Sequence, residues 1–218
     1  MNKTALLLGA TGLVGSELLQ QLLIDDTFSQ VLVFTRSALE FSHPKLKNEV
    51  IDFNNPDSWI EKVKGDVLFS AFGTTIKKAG TKENQWKIDY TYQYQMAHAA
   101  CKNGVPAMVL VSSAGASANS KIFYSRMKGE LDRDIKALGF ERLTILKPSI
   151  LAGHRNEKRV GESYGLIIGK LLKKIPYLNR YQSIPASTVA KAMIQASKLN
   201  QSYAEFQLLE IFNLSKGK

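Results

Sequence analysis

Residues 6–15 read Leu-Leu-Leu-Gly-Ala-Thr-Gly-Leu-Val-Gly, and this stretch decides the fold. The strand-like run Thr4–Leu8 stops at Gly9. From Gly12 to Ile24 apolar residues then recur at helical spacing, as Leu13, Val14, Leu18, Leu19, Leu22 and Leu23. A strand that turns straight into a helix leaves the first backbone N–H groups of that helix without partners. Their partial positive charge points into the turn. Glycines there admit a diphosphate against the backbone and let the helix lie close on the sheet. Gly9, Thr11, Gly12, Leu13, Val14 and Gly15 therefore form a candidate dinucleotide cradle. A glycine triplet alone also arises from steric need, so the strand before it and the helix after it give the motif its weight. The spacing is GxxGxxG rather than GxGxxG, which points away from lactate-type dehydrogenases.

Outward from this turn, strands are expected at Val31–Arg36, Glu49–Asp52, Asp66–Phe72, Ala107–Val111 and Arg142–Leu146. Helices are expected at Pro56–Lys64, Glu83–Lys102 and Phe123–Leu138, closed by Gly65, Asn103-Gly104 and Gly139. Such alternation predicts an α/β fold: a doubly wound, mostly parallel sheet with helices on both faces and ligands beyond the strands' C-terminal ends. A chain of 218 residues suits one domain, 1–218. Within it 150–187, rich in Gly and Pro, reads as a small irregular C-terminal segment on the substrate side, a lid.

Composition narrows the setting. With 44% apolar and 22% charged residues the chain reads as a soluble globular protein, and no apolar run reaches membrane-spanning length. Cys101 is the only cysteine, so an intrachain disulfide is excluded, and with no signal-peptide pattern a reducing cytoplasm is the expected compartment. The net charge of +10 is concentrated in residues 121–180, which hold 14 basic and 6 acidic side chains. Lys170, Lys173, Lys174 and Arg180 belong to this excess, which reads as a solvated basic face. Without a helix-turn-helix pattern, an RNP motif or zinc spacing, nucleic acid is not an expected partner. His43, His98 and His154 are scattered and suggest no metal site.

The end of the second strand selects the dinucleotide. An NAD site usually places a carboxylate there for the ribose 2′-OH. This chain has Arg36 and Ser37, which suit a 2′-phosphate, so NADP (NADPH) is preferred and NAD remains possible. Asp52, before Phe53, is a candidate acceptor for the adenine amino group. Tyr124 and Lys128 lie four apart at the start of a helix and so leave on one face. A phenol is a weak acid–base group at neutral pH, and a neighbouring ammonium favours its ionised form. Ser113, after the fifth strand, would donate to an oxygen as charge develops on it. Strand alternation turns its neighbour Ser112 the other way.

These residues together resemble a short-chain dehydrogenase/reductase of the atypical kind, close to the Tat-interactive-protein-like group. The likeness is carried by Gly9–Gly15, Thr35-Arg36, Val50–Phe53, Gly73-Thr74-Thr75 with Lys78-Ala79-Gly80, Ser112–Ala116, Tyr124–Glu130 and Lys147-Pro148. It implies a Rossmann fold, a nicotinamide dinucleotide and a Ser113-Tyr124-Lys128 site. It further implies that Gly73, Thr74 and Thr75 line the cofactor, with Ser112 beside them, and that Pro148, Ser149 and Ile150 border the nicotinamide. The chain departs from the family pattern at two places. Asp89 and Tyr90 stand where a catalytic Asn is common, and the Ser113–Tyr124 connection is short. The expected activity is NADP(H)-dependent oxidation or reduction of a small carbonyl/alcohol substrate. A non-enzymatic NADP(H)-binding regulator with a protein partner is the main alternative. Sugar-nucleotide epimerase chemistry is another, and it needs a larger C-terminal domain than follows Pro148.

Overall fold

Residues Ala5–Leu8 and Val67–Ser70 are buried on both faces, as strands in the middle of a helix-covered sheet must be. The computed structural model describes residues 2–152 and 182–217. Seven strands form one sheet: β1 (Lys3–Leu8), β2 (Phe28–Thr35), β3 (Leu46–Val50), β4 (Val67–Ser70), β5 (Ala107–Val111), β6 (Arg142–Lys147) and β9 (Tyr203–Gln207). Their spatial order is β3-β2-β1-β4-β5-β6-β9 with every pair parallel. This is the Rossmann order with one strand added at the edge. A separate parallel pair joins β7 (Leu151–Ala152) to β8 (Ile184–Pro185).

Side-chain alternation sorts the strands onto two cores. On one face Ala5, Leu7, Val31 and Val33 meet α1 (Leu13–Ile24) and α6 (Ala186–Ala196). On the other, Leu6, Leu8, Leu32 and Phe34 share a core with α4 (Tyr92–Lys102) and α5 (Phe123–Lys136). The short helices α2 (Ile76–Ala79) and α3 (Lys82–Trp86) follow β4, and α7 (Leu209–Ser215) follows β9.

Three expected elements differ. The helix over 56–64 is two 3₁₀ turns, Pro56–Ser58 and Ile60–Lys62, because Trp59 between them leaves helical geometry (φ −136°). Its indole N–H donates to the Asp52 carbonyl at 2.9 Å and its ring is buried beside Phe53. The helix over 83–102 is interrupted by a π turn, Lys87–Thr91. The third strand lies earlier, at Leu46–Val50, so Asp52 sits in the turn beyond it. Most of the 150–187 segment expected as a lid, with Lys170, Lys173, Lys174 and Arg180, lies outside the described residues. Among the described residues no helix is long and apolar enough to cross a membrane.

A very close backbone contact lies under the first turn. A Cβ on Gly15 would stand 1.9 Å from the Gly9 carbonyl oxygen. Gly15→Ala is therefore expected to lower stability by about 1–3 kcal/mol. The exposed neighbour Ser16→Ala should leave it nearly unchanged, and urea midpoints of the two variants check the contrast.

Candidate cofactor and active site

Because all strands run parallel, the exits of β1, β2, β4, β5 and β6 share one edge of the sheet. At the β1 exit the chain turns on a hydrogen bond from Gly12 N–H to the Gly9 carbonyl (2.9 Å). Gly9 has φ +95°, and a Cβ there would lie 2.7 Å from the Ala71 backbone at the β4 exit. Gly12 gives α1 no side-chain cap and its first turn carries no acidic residue, so the amides of Leu13, Val14 and Gly15 open into the turn. The Val14 side chain is buried in the core, which leaves its backbone to face a ligand. Thr11 is exposed at the tip. A Cβ at Gly9 or Gly15 would strike neighbouring backbone, so these glycines let α1 pack against the sheet, and the open amides they leave at the turn suit a dinucleotide diphosphate.

Beside it opens a cavity of about 510 Å³. Arg36, Asp52 and Phe53 are among the residues that line it. Ser37 is exposed but does not line it. Asp52 Oδ1 accepts from the Asn54 backbone N–H (2.9 Å) and side-chain amide (3.0 Å), forming an Asx turn that fixes the carboxylate. The Phe53 ring is buried against Phe72 and Tyr92. Lys78, Asn84, Lys87, Ile88 and Tyr92 complete much of the wall, and reading the sequence for strand ends missed all five. They come from α2, α3, the π turn and α4, 26 or more positions beyond Asp52, and no short motif links them.

At the β4 exit, the Thr74 backbone N–H donates to Asp89 Oδ1 at 2.6 Å. Asp89 is 1% exposed and lies on the π turn, and a Cβ on Gly73 would stand 3.3 Å from the same oxygen. Thr75 uses its side chain to cap α2. The position where an Asn was absent thus holds a carboxylate that fixes the Gly73-Thr74 backbone.

At the β5 exit the two serines diverge. Ser112 is buried and donates to Asp132 Oδ2 at 2.9 Å, while Ser113 is half-buried and reaches the Ala114 carbonyl at 3.4 Å. Lys128 is 3% exposed and its Nζ donates to the Val111 carbonyl at 3.4 Å, directly under the strand end. Tyr124, one turn earlier on α5, is 40% exposed. The Ser112–Ile122 connection lies against α5: the Ser117 N–H donates to the Ser125 carbonyl, and a Cβ on Gly129 would stand 2.1 Å from Ser117 C. At the β6 exit, the Pro148 carbonyl accepts from Ala114 N–H at 3.0 Å, tying the serine loop to the Pro148-Ser149-Ile150 stretch. Ser149 donates to the Gln182 carbonyl, and Ile150 is exposed.

Comparison with known proteins then fixes the assignment. Residues 9–198 match the model of the NAD(P)H-binding family. The chain belongs to that family. It is 39% identical to the mitochondrial protein FMP52 of Candida albicans, over 86% of this chain and 85% of that protein. It is 38% identical to the mitochondrial FMP52 of Eremothecium gossypii, over 83% and 80%. Among solved structures it resembles the ADP-L-glycero-D-manno-heptose-6-epimerase of Helicobacter pylori, with TM-score 0.71, 20% identity, and coverage of 99% of this chain and 82% of that one. The expectation of a cytoplasmic protein is corrected here, because these family relatives carry mitochondrial names. A lone cysteine and ordinary composition do not separate one reducing compartment from another.

Behind the site, Asp132 is buried between Ser112 and Lys147, whose Nζ lies 3.5 Å away. Burial pushes its carboxyl above the usual carboxylate range, against the lowering effects of the Ser112 hydroxyl, Lys128 and Lys147. The folded state therefore holds that proton more tightly than the unfolded chain. As pH falls from the raised folded value to about 4, this group adds stability. Replacing it in Asp132→Asn should remove that gain. The variant's stability, set against wild type, should fall progressively on acidification across this window, as urea titrations at a series of pH values would show.

Proposed function

We propose that the protein is an NADPH-preferring oxidoreductase that interconverts a small carbonyl/alcohol pair. One observation supports this reading above the rest. A glycine cradle, a guanidinium-lined cavity and a buried lysine under the end of β5 all meet the same edge of one parallel sheet. The first-turn amides of α1 would hold the diphosphate, with Arg36 toward a 2′-phosphate and Asp52 toward the adenine. Thr74, Thr75 and the Pro148-Ser149-Ile150 stretch would border the rest of the cofactor. Bound there, the nicotinamide supplies or accepts the hydride.

The chain's own groups would handle the proton and the oxygen. Tyr124, exposed on α5, would give or take the proton of the substrate oxygen. Ser113 would donate a hydrogen bond to that oxygen as negative charge develops on it. Lys128 already donates to the Val111 carbonyl, so its ammonium is fixed under the end of β5, where it would hold the nicotinamide ribose. Ser112 stands apart from this chemistry, since its hydroxyl is committed to Asp132. The alternative of a non-enzymatic NADP(H)-binding regulator draws on the Ser113 hydroxyl, which turns to its own loop at Ala114.

Titration with both reduced cofactors should show tighter binding of NADPH, and Arg36→Ala should narrow the gap between the two affinities. Across a panel of small aldehydes and ketones, Tyr124→Phe should cut turnover by about 10²-fold or more while NADPH still binds. A wild-type protein that binds NADPH but turns over no member of a broad panel would favour the regulator.

A further inference from the structure

The cavity beside the glycine cradle holds more positive charge than Arg36 supplies. Lys78 and Lys87 also line it, against the carboxylate of Asp52, whose Oδ1 is engaged by Asn54. Its apolar lining includes Ile51, Phe53, Ile88 and Tyr92, aliphatic and aromatic surface suited to a purine face. A phosphate monoester carries about −1.5 to −2 charges at neutral pH, so a single guanidinium leaves it under-neutralised. A second cation is needed for strong selection.

The two lysines are placed differently. The Lys87 ammonium stands 5.8 Å from the Tyr92 ring centroid, over the aromatic surface. Lys78 projects from α2, whose backbone is fixed at both ends. Thr75 Oγ1 accepts from the Lys78 N–H (3.3 Å), the Gly80 N–H donates to the Ile76 carbonyl (2.9 Å), and the Asn84 side chain donates to the Ala79 carbonyl (3.1 Å). Those bonds anchor the turn that carries Lys78 into the cavity wall.

We propose that Lys78 is a second determinant of NADPH selectivity, meeting the adenosine 2′-phosphate from the α2 wall while Arg36 meets it from the β2 exit. This inference rests on the NADPH reading above. Two walls from distant parts of the chain then share one phosphate. Arg36 offers a planar fork and Lys78 a point charge on a flexible stem.

The test measures binding alone and needs no substrate. Wild type, Arg36→Gln, Lys78→Gln and the control Lys77→Gln are titrated with NADPH, NADH and adenosine 2′,5′-bisphosphate, folding being checked by circular dichroism. Lys77 lies on the same helix and does not line the cavity. Lys78→Gln is expected to weaken NADPH and the bisphosphate about tenfold and leave NADH unchanged, matching the loss of one charge-assisted contact. Lys77→Gln should match wild type, and the Arg36/Lys78 double variant should bind NADPH and NADH alike. Selectivity lost in Arg36→Gln but kept in Lys78→Gln overturns the role of Lys78 and leaves the NADPH reading standing. Equal loss in the Lys77 and Lys78 variants overturns it too, by reducing the effect to general surface charge. Equal affinity of wild type for NADPH and NADH brings down the NADPH reading itself, and Lys78 with it.

Discussion

The contact between Gly15 and the Gly9 carbonyl constrains the rest of the molecule. With hydrogen atoms as side chains, α1 seats against the end of β1 so closely that a methyl group would overlap the carbonyl oxygen. The same residue, Gly9, is pressed from its other side by the Ala71 backbone, so α1, β1 and the β4 exit are locked in one arrangement. Val14, Leu18 and Leu22 then descend into the core shared with Val189 and Met193 of α6. The open amides at the start of α1 are thereby held at the sheet edge by packing, before any ligand arrives. A preorganised donor set of this kind loses little on binding an anion.

The central architecture was legible because β1, β4, β5 and β6 are short and largely apolar, each with a glycine or proline within two residues of one end. Ala107–Val111 coincides with its expected bounds, and the glycine turn stands where its spacing placed it. Legibility failed where tertiary contacts override local pattern. Trp59 breaks a helix because its indole finds a buried carbonyl acceptor in Asp52. The edge strand β9 escaped notice because Tyr203 and Gln207 are exposed at its two ends, and its pairing with Leu143–Lys147 is non-local. For the site, strand ends indicated Arg36 and Asp52. Lys78-Ala79-Gly80 entered the reading only through the family likeness, and no strand end or short motif placed Lys78 and Asn84 at the same cavity.

The divergence of Ser112 and Ser113 shows how a buried polar network can support a site without joining it. Asp132 accepts from Ser112, and Lys147 stands between Asp132 (3.5 Å) and Glu205 (2.9 Å). Burial opposes the charge on Glu205, yet its hydrogen bonds from Lys147 and Tyr203 bring its carboxyl below the usual range. A buried pair gains little net stability, because desolvation offsets most of the attraction. Its effect is geometric: α5, β6 and β9 are pinned together through these side chains. Lys128, one turn before Asp132 on α5, is held in register by the same arrangement.

The π turn at Lys87–Thr91 carries this logic to the cofactor side. Widening one turn of a helix strands a carbonyl and rotates the residues that follow it. Here the Asp89 carbonyl accepts from Gln93 Nε2 at 2.6 Å, and Gln93 Oε1 in turn accepts from Ser70 Oγ at 2.7 Å, at the end of β4. The Asp89 carboxylate accepts from Thr74, four residues beyond Ser70 on the same exit. The loop leaving β4 is thus gripped at its root and at its tip by one irregular helical turn. A regular helix through these positions would set Asp89 at a different angle to the Thr74 N–H, so the cost of the π turn is offset by a fixed loop. Gly73 completes the fit, since any side chain there would press on the carboxylate that holds its neighbour. An Asn at 89 could still accept through its carbonyl oxygen but would bring N–H donors where Asp89 Oδ2 now receives Gln85 Nε2. Among the described residues the two oxygens of Asp89 accept from Thr74 and from Gln85, so a carboxylate at this position ties the exit loop to the helical turn above it.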